Sequence, residues 1–103
     1  MTSTRSIFGV ALFAVACWST PAIAEDDRQT RTWAAACAAC HGTEGRATTG
    51  IPAIAGQDAD RLFTALKEFK NDQRPATVMD QHAKGYTDEE LQRLADYFAR
   101  QTP

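Results

Sequence analysis

Two cysteines and a histidine stand close together in the segment Cys37-Ala38-Ala39-Cys40-His41. Thiols three positions apart share one side of a helical turn, where each can add to a vinyl group of a haem. The adjacent imidazole then reaches the iron from the same side. This C-x-x-C-H pattern is the attachment signature of c-type haem. It predicts one covalent haem c, attached through Cys37 and Cys40, with His41 as the first axial ligand of the iron.

Three other interpretations of these five residues remain open. A zinc site needs four N, S or O ligands, usually from two paired clusters. The chain has no second C-x-x-C and only one further histidine, His82. A thioredoxin-like redox pair expects a βαβ context, which the helical patterns of this chain do not supply. A plain disulfide between Cys37 and Cys40 is the third alternative. Haem attachment is the interpretation that the rest of the chain favours.

The N-terminal residues have the pattern of an export signal. Arg5 precedes an apolar run over residues 7–16, and the small residues Ala22 and Ala24 follow. This arrangement is typical of a secretory signal peptide, here residues 1–24, removed by cleavage after Ala24. We therefore expect an exported, periplasmic protein.

Two alternatives exist for this N-terminal segment. A permanent membrane anchor is the first, although the apolar run is too short to span a bilayer as a helix. Lipid attachment at Cys17 is the second, but Ala14 stands where a lipoprotein signal prefers leucine. The cleaved signal peptide accounts better for both features.

Removal of residues 1–24 leaves one small domain, residues 25–103, with few possible haem ligands. Loss of Arg5 leaves 10 basic against 13 acidic residues, a formal charge of −3, and no basic patch suggests nucleic-acid binding. Of the 103 residues, 79 remain and form a small domain, whose core by itself supplies only about 3–5 kcal/mol of stability. A buried, covalently attached haem would supply the additional stabilisation that such a small domain usually needs.

Hydrophobic periodicity predicts an all-α fold with three main helices, and no stretch alternates with a period of two. The helices are expected over about residues 27–39, 58–71 and 88–101. Asp58 is the expected N-cap of the second helix, and Thr87 with Glu90 forms a capping box before the third. Glycine and proline residues predict loops over residues 42–57 and 72–86.

The loop after His41 is expected to orient its ring. A ligating histidine needs a fixed acceptor for its other ring nitrogen, which sets the tautomer. The backbone carbonyl of Pro52, or of a neighbour, is the natural candidate. The alternative is that Ile51 and Pro52 simply pack on the haem and form a turn.

The second loop holds the candidate for the second iron ligand. Met79 is the only methionine outside the predicted signal peptide, and it follows the attachment site far enough along the chain to cross the opposite haem face. We therefore predict that Met79 binds the iron. His82, three residues later, is the rival ligand, and bis-histidine ligation would lower the reduction potential relative to His/Met.

Several short segments together resemble a known family. They are CAACHG at 37–42, GIPAIAGQ at 50–57, FK at 69–70, the methionine at 79 and LADYF at 94–98. In these segments the chain resembles class I cytochromes c of the bacterial c4/c553 type over essentially all of residues 25–103. The resemblance implies a small helical fold wrapped around one haem. It also implies thioether bonds from Cys37 and Cys40, iron bonds from His41 and Met79, and Pro52 as the backbone acceptor.

A narrower likeness concerns the redox partner. The segments TVM at 77–79, AKGY at 83–86 and YFARQ at 97–101 are similar to the haem subunit of flavocytochrome c sulfide dehydrogenase. That resemblance implies an FAD-containing partner that oxidises sulfide and passes on its electrons singly. Many such subunits carry two haem domains, whereas this chain has one attachment site. A single-haem subunit and a free soluble electron shuttle both remain open, and either is an electron carrier, not an enzyme.

Overall fold

A computed structural model describes residues 22–103 and, before them, only positions 1, 9, 11, 14–16 and 18; nothing is described of the side chains of residues 22–25. Most of the predicted signal peptide therefore lies outside the described residues. The described part contains four α-helices and no strand, which confirms the all-α prediction. The helices are α1 (Ala22–His41), α2 (Ala59–Lys70), α3 (Met79–Lys84) and α4 (Asp88–Ala99). Of these helices, none is long and apolar enough to cross a membrane.

Helix α1 carries the whole C-x-x-C-H segment at its C-terminal end. It begins five residues before the predicted start, so that the predicted cleavage position falls in its first turn, and it ends at His41 instead of residue 39. Gly42 ends it with φ of +82°, and a Cβ there would lie 2.6 Å from the carbonyl oxygen of Arg46. Only glycine fits such a left-handed, crowded position without strain. A 3₁₀ turn, Thr43–Gly45, follows directly.

Helices α2 and α4 form most of the core. Both begin as predicted: the side chain of Asp58 accepts from the Arg61 amide at 2.9 Å, and Thr87 and Glu90 form a complete capping box. Helix α4 buries one face at helical spacing against α2 and α1. The main buried cluster consists of Ala34, Leu62, Leu94, Ala95 and Phe98. Helix α4 ends at Ala99, two residues before the predicted end.

The prediction of a loop over residues 72–86 is wrong in its second half. Residues Met79–Lys84 form α3, which packs against α2 and buries Ala83 at 1% exposure. A helix of six residues is too short to be stable alone or to show an apolar period. Its stability comes from tertiary packing, which the local sequence does not reveal.

Two lysines of α2 meet the first residue of α4. The carboxylate of Asp88 accepts from Lys67 and, at 3.0 Å, from Lys70, and Lys70 also donates to the carbonyl of Tyr86 at 2.8 Å. Hydrogen bonds from Lys67 and then Lys70 lower the pKa of Asp88 below its usual value of 3.8. The start of α4 is thereby fixed on α2.

Arg93 of α4 holds α1 in place one turn before the cysteines. Its Nε donates to Oγ1 of the buried Thr30 at 3.1 Å, and its Nη2 donates to the carbonyl of Asp26 at 2.6 Å. The guanidinium also lies over the ring of Trp33, 4.8 Å from the centroid. Because Trp33 precedes Cys37 by one helical turn, these contacts fix the helix that carries the attachment segment.

Candidate haem site

The two thiols differ in their surroundings. Cys37 is half-buried, with its Sγ 3.7 Å from the carbonyl oxygen of Trp33, whereas Cys40 is exposed. Loss of solvation on burial raises the pKa of the Cys37 thiol above its usual value of 9.0. Both thiols are free, so this structure contains no Cys37–Cys40 disulfide.

His41 is oriented by the loop that follows it. Its Nδ1 lies 2.7 Å from the carbonyl oxygen of Pro52. A carbonyl can only accept, so Nδ1 carries a proton in this contact, and in a neutral ring the lone pair is then on Nε2. A neutral imidazole of this tautomer is the form that binds a metal.

The fold of residues 46–56, which we call the proximal loop, brings Pro52 to His41. The carbonyl of Gly45 accepts from the amides of both Ile54, at 2.8 Å, and Ala55, at 3.1 Å. These two bonds turn the loop back so that Pro52 faces the end of α1. The acceptor of His41 is therefore placed by backbone bonds.

Several apolar side chains pack against the same core cluster as Cys37. Cys37 packs against the core cluster, as do the partly buried Ile54, Phe63 and Leu66. A porphyrin needs apolar surroundings, two thiols for its vinyl groups and a nitrogen donor for its iron. The end of α1 supplies the thiols and the imidazole, and the loop and α2 supply apolar side chains nearby, so these residues fit a covalent haem.

Met79 and His82, the two candidates for the second ligand, both lie on α3. Met79 is the first residue of this helix and is half-buried, while His82 is exposed. The described contacts join His41 with Pro52 but do not extend to Met79. Its role as second iron ligand stays a prediction, as do the roles of Cys37 and Cys40.

Sequence reasoning missed one residue next to this site. Arg46 begins the proximal loop, and its Nη1 donates to the carbonyl of Thr102 at 3.3 Å. The two residues are 56 positions apart, so no local pattern could indicate the contact. The side chain was therefore not among the predicted site residues.

Comparison with known proteins identifies the family. Residues 24–98 match the family model described as "Cytochrome C oxidase, cbb3-type, subunit III". Because this match spans most of the chain, the chain belongs to that family, and it is a class I c-type cytochrome, an electron carrier and not a catalyst. Covalent haem c with its iron follows from the same membership.

Individual relatives are named for several electron-transfer roles. The chain is 52% identical over 62 residues to the cytochrome subunit of sulfide dehydrogenase from Chlorobaculum tepidum, covering 60% of this chain and 56% of that protein. It is 36% identical over 69 residues to cytochrome c-554(548) from Halomonas halodenitrificans, covering 63% of this chain and 83% of that protein. It is 38% identical over 67 residues to a thiosulfate dehydrogenase electron acceptor from Stutzerimonas stutzeri, covering 61% of this chain and 31% of that protein. The chain thus spans only about half the length of the first relative.

Proposed function

We propose that this chain transfers single electrons through one haem c whose iron is bound by His41 and Met79. The observation that supports it best is the 2.7 Å contact between Nδ1 of His41 and the Pro52 carbonyl, at the end of the helix that carries both thiols. That contact leaves Nε2 of His41 as the ring nitrogen that would bind the iron. When bound, the haem supplies an iron that gains and loses one electron.

The protein's own residues set the properties of this centre. If His41 and Met79 both bind the iron, they would leave no coordination position for oxygen or peroxide, and the centre would only exchange electrons. A thioether ligand and apolar surroundings both favour the reduced iron and raise the reduction potential. Phe63 and Leu66 of α2 are half-buried beside the core and provide part of those surroundings.

Two matched variants test the second ligand. Met79→Ala should abolish the sulfur-to-iron charge-transfer band of the oxidised protein, because it removes the thioether. His82→Ala, on the same short helix, should leave the band unchanged. Absorption spectra of both purified haem proteins make the comparison. A band that survives Met79→Ala, or carbon monoxide binding readily to the reduced wild type at neutral pH, would contradict the proposed ligation.

The proposed partner is an FAD-containing subunit that oxidises sulfide. The similarity to the cytochrome subunit of sulfide dehydrogenase supports it. The ion pairs of the chain's three lysines also support it, since Lys67 and Lys70 bind Asp88 and Lys84 binds Asp72 at 2.6 Å. Paired lysines contribute little to the long-range steering on which a shuttle with many partners relies. A stable subunit therefore agrees better with the surface than a shuttle does.

Purification from the source organism separates these two functions. A flavoprotein that remains bound to the cytochrome through a high-salt wash supports the subunit. A cytochrome that elutes alone as a monomer supports the alternative, a free periplasmic shuttle of the c4/c553 type. A similar protein is named as a thiosulfate dehydrogenase electron acceptor, which supports acceptance of electrons from a dehydrogenase as a role within this group.

Export of the chain belongs to the same proposal. Covalent haem attachment and a cleaved signal peptide, residues 1–24, would place the domain 25–103 in the periplasm. The mass of the protein recovered from a periplasmic extract checks this, because cleavage after Ala24 leaves a chain that begins at Glu25 and carries one haem.

A further inference from the structure

Arg46 joins the start of the proximal loop to the segment that follows α4. Its Nη1 donates to the carbonyl of Thr102 at 3.3 Å, and its Nη2 donates to Oε2 of Glu44 at 2.8 Å. One guanidinium thus holds two groups that lie far apart in the chain. The Arg46 side chain is 39% exposed, so it makes these contacts at the protein surface and is not part of the core.

The far end of the same loop is tied to α4 through the backbone. The amide of Gly56 donates to the carbonyl of Phe98 at 2.9 Å. Phe98 is 3% exposed and belongs to the core cluster, so this end of the loop has a rigid support. Pro52 lies between the two anchored ends, and its carbonyl is the group that faces His41.

We propose that Arg46 is a positioning residue for the haem ligand. By fixing the start of the proximal loop on Thr102, it adds to the backbone bonds that place the Pro52 carbonyl and so strengthens the hydrogen bond from His41. The inference rests on the proposed function, since it takes His41 to be the iron ligand.

The chemical consequence concerns the basicity of the imidazole. A carbonyl that accepts from Nδ1 makes a ligating histidine a stronger donor to its metal, which favours the oxidised iron. A loop released at Arg46 would weaken that bond, so the reduction potential should rise. Lysine could restore only part of the effect, because a single ammonium lacks the fork that serves Glu44 and Thr102 together.

The test compares haem-loaded wild type with Arg46→Met, Arg46→Lys and a control, Arg74→Met. Arg74 forms a similar exposed ion pair, 2.6 Å from Glu68 of α2, but lies outside the proximal loop. Exchange of the His41 Nδ1 proton and the Gly56 amide is followed by NMR in the reduced protein, alongside the reduction potential. Arg46→Met should speed both exchanges about fivefold and raise the potential. Arg46→Lys should give smaller changes, and Arg74→Met should give neither.

Two negative outcomes have different meanings. If Arg46→Met and Arg74→Met show the same exchange rates and potentials, Arg46 does not position the ligand, and the proposed function stands. If the wild-type spectrum shows His41 free of iron, the proposed function itself is overturned, and this inference with it.

Discussion

Gly45 stands at the point where the chain turns back toward the attachment helix. Its φ is +82°, and a Cβ built on it would lie 2.8 Å from Cγ1 of Ile54 and 2.9 Å from Cδ1 of Phe98. Its carbonyl also accepts from two amides of the proximal loop. A single residue without a side chain therefore lets the loop, α4 and the end of α1 meet.

A methyl group at this position should be costly. Gly45→Ala combines a left-handed conformation with two close contacts, and we expect a loss of about 2–4 kcal/mol in unfolding free energy. Gly50→Ala is the matched control, because a Cβ on Gly50 meets nothing within 4 Å. Its effect should stay within about 0.5 kcal/mol. Denaturant unfolding of the two haem proteins measures both, and equal midpoints would show that the contacts around Gly45 relax.

Individual residues differ in how far the sequence reveals their surroundings. The contact between His41 and the Pro52 carbonyl could be anticipated, because a ligating imidazole requires an acceptor and few candidates follow it closely. Arg46 could not be anticipated, since its partner Thr102 is brought near only by the complete fold. A contact that the chemistry of a ligand requires can be predicted from sequence. A contact between surface residues that only the complete fold brings together cannot.

At the scale of elements, capping and periodicity explain what was predictable. Helices α2 and α4 begin at the residues that their caps indicate, because cap chemistry is local. Helix α3 was missed, because packing of Ala83 against neighbouring helices stabilises it and no cap side chain marks its start. Met79 is accordingly presented by the first turn of a helix and not by a loop.

The junction of α2 and α4 should depend on pH. Hydrogen bonds from Lys67 and Lys70 lower the pKa of Asp88 in the folded protein. The unfolded chain then binds more protons than the folded one, so this contribution is present above pH 3.8 and is lost as pH falls through the folded pKa.

Asp88→Asn removes that titration. Thermal unfolding of the haem protein between about pH 6 and pH 2 should show a smaller loss of stability on acidification than in wild type. Glu89→Gln is the control, because Glu89 is an exposed acid in the same first turn of α4. If Glu89→Gln flattens the acid profile as much as Asp88→Asn, the two lysines do not act through Asp88.

At the scale of the whole molecule, the protein core is small. Half of the buried apolar residues in the described part are alanines, and the largest side chain that is fully buried is Leu91. A domain of this size has only about 3–5 kcal/mol available from its own packing. We therefore expect covalent haem to contribute much of the stability.

Loss of both attachment thiols tests this dependence. Cys37→Ala combined with Cys40→Ala should yield a chain that does not retain haem and is largely unfolded at room temperature, with most of its helical circular dichroism lost. Cys40→Ala alone keeps one thioether bond and should retain more helix. A double variant as compact and helical as wild type would show that the polypeptide does not need the haem to fold.

The unequal burial of the two thiols bears on the order of events during maturation. Cys40 is open to solvent in the folded chain, while Cys37 packs against the core beneath Trp33. In the folded chain the sulfur of Cys40 is therefore more accessible to a haem vinyl group than the sulfur of Cys37. A chain that is largely unfolded without haem would expose both sulfurs, so we expect thioether formation to precede the packing of α1 on α4.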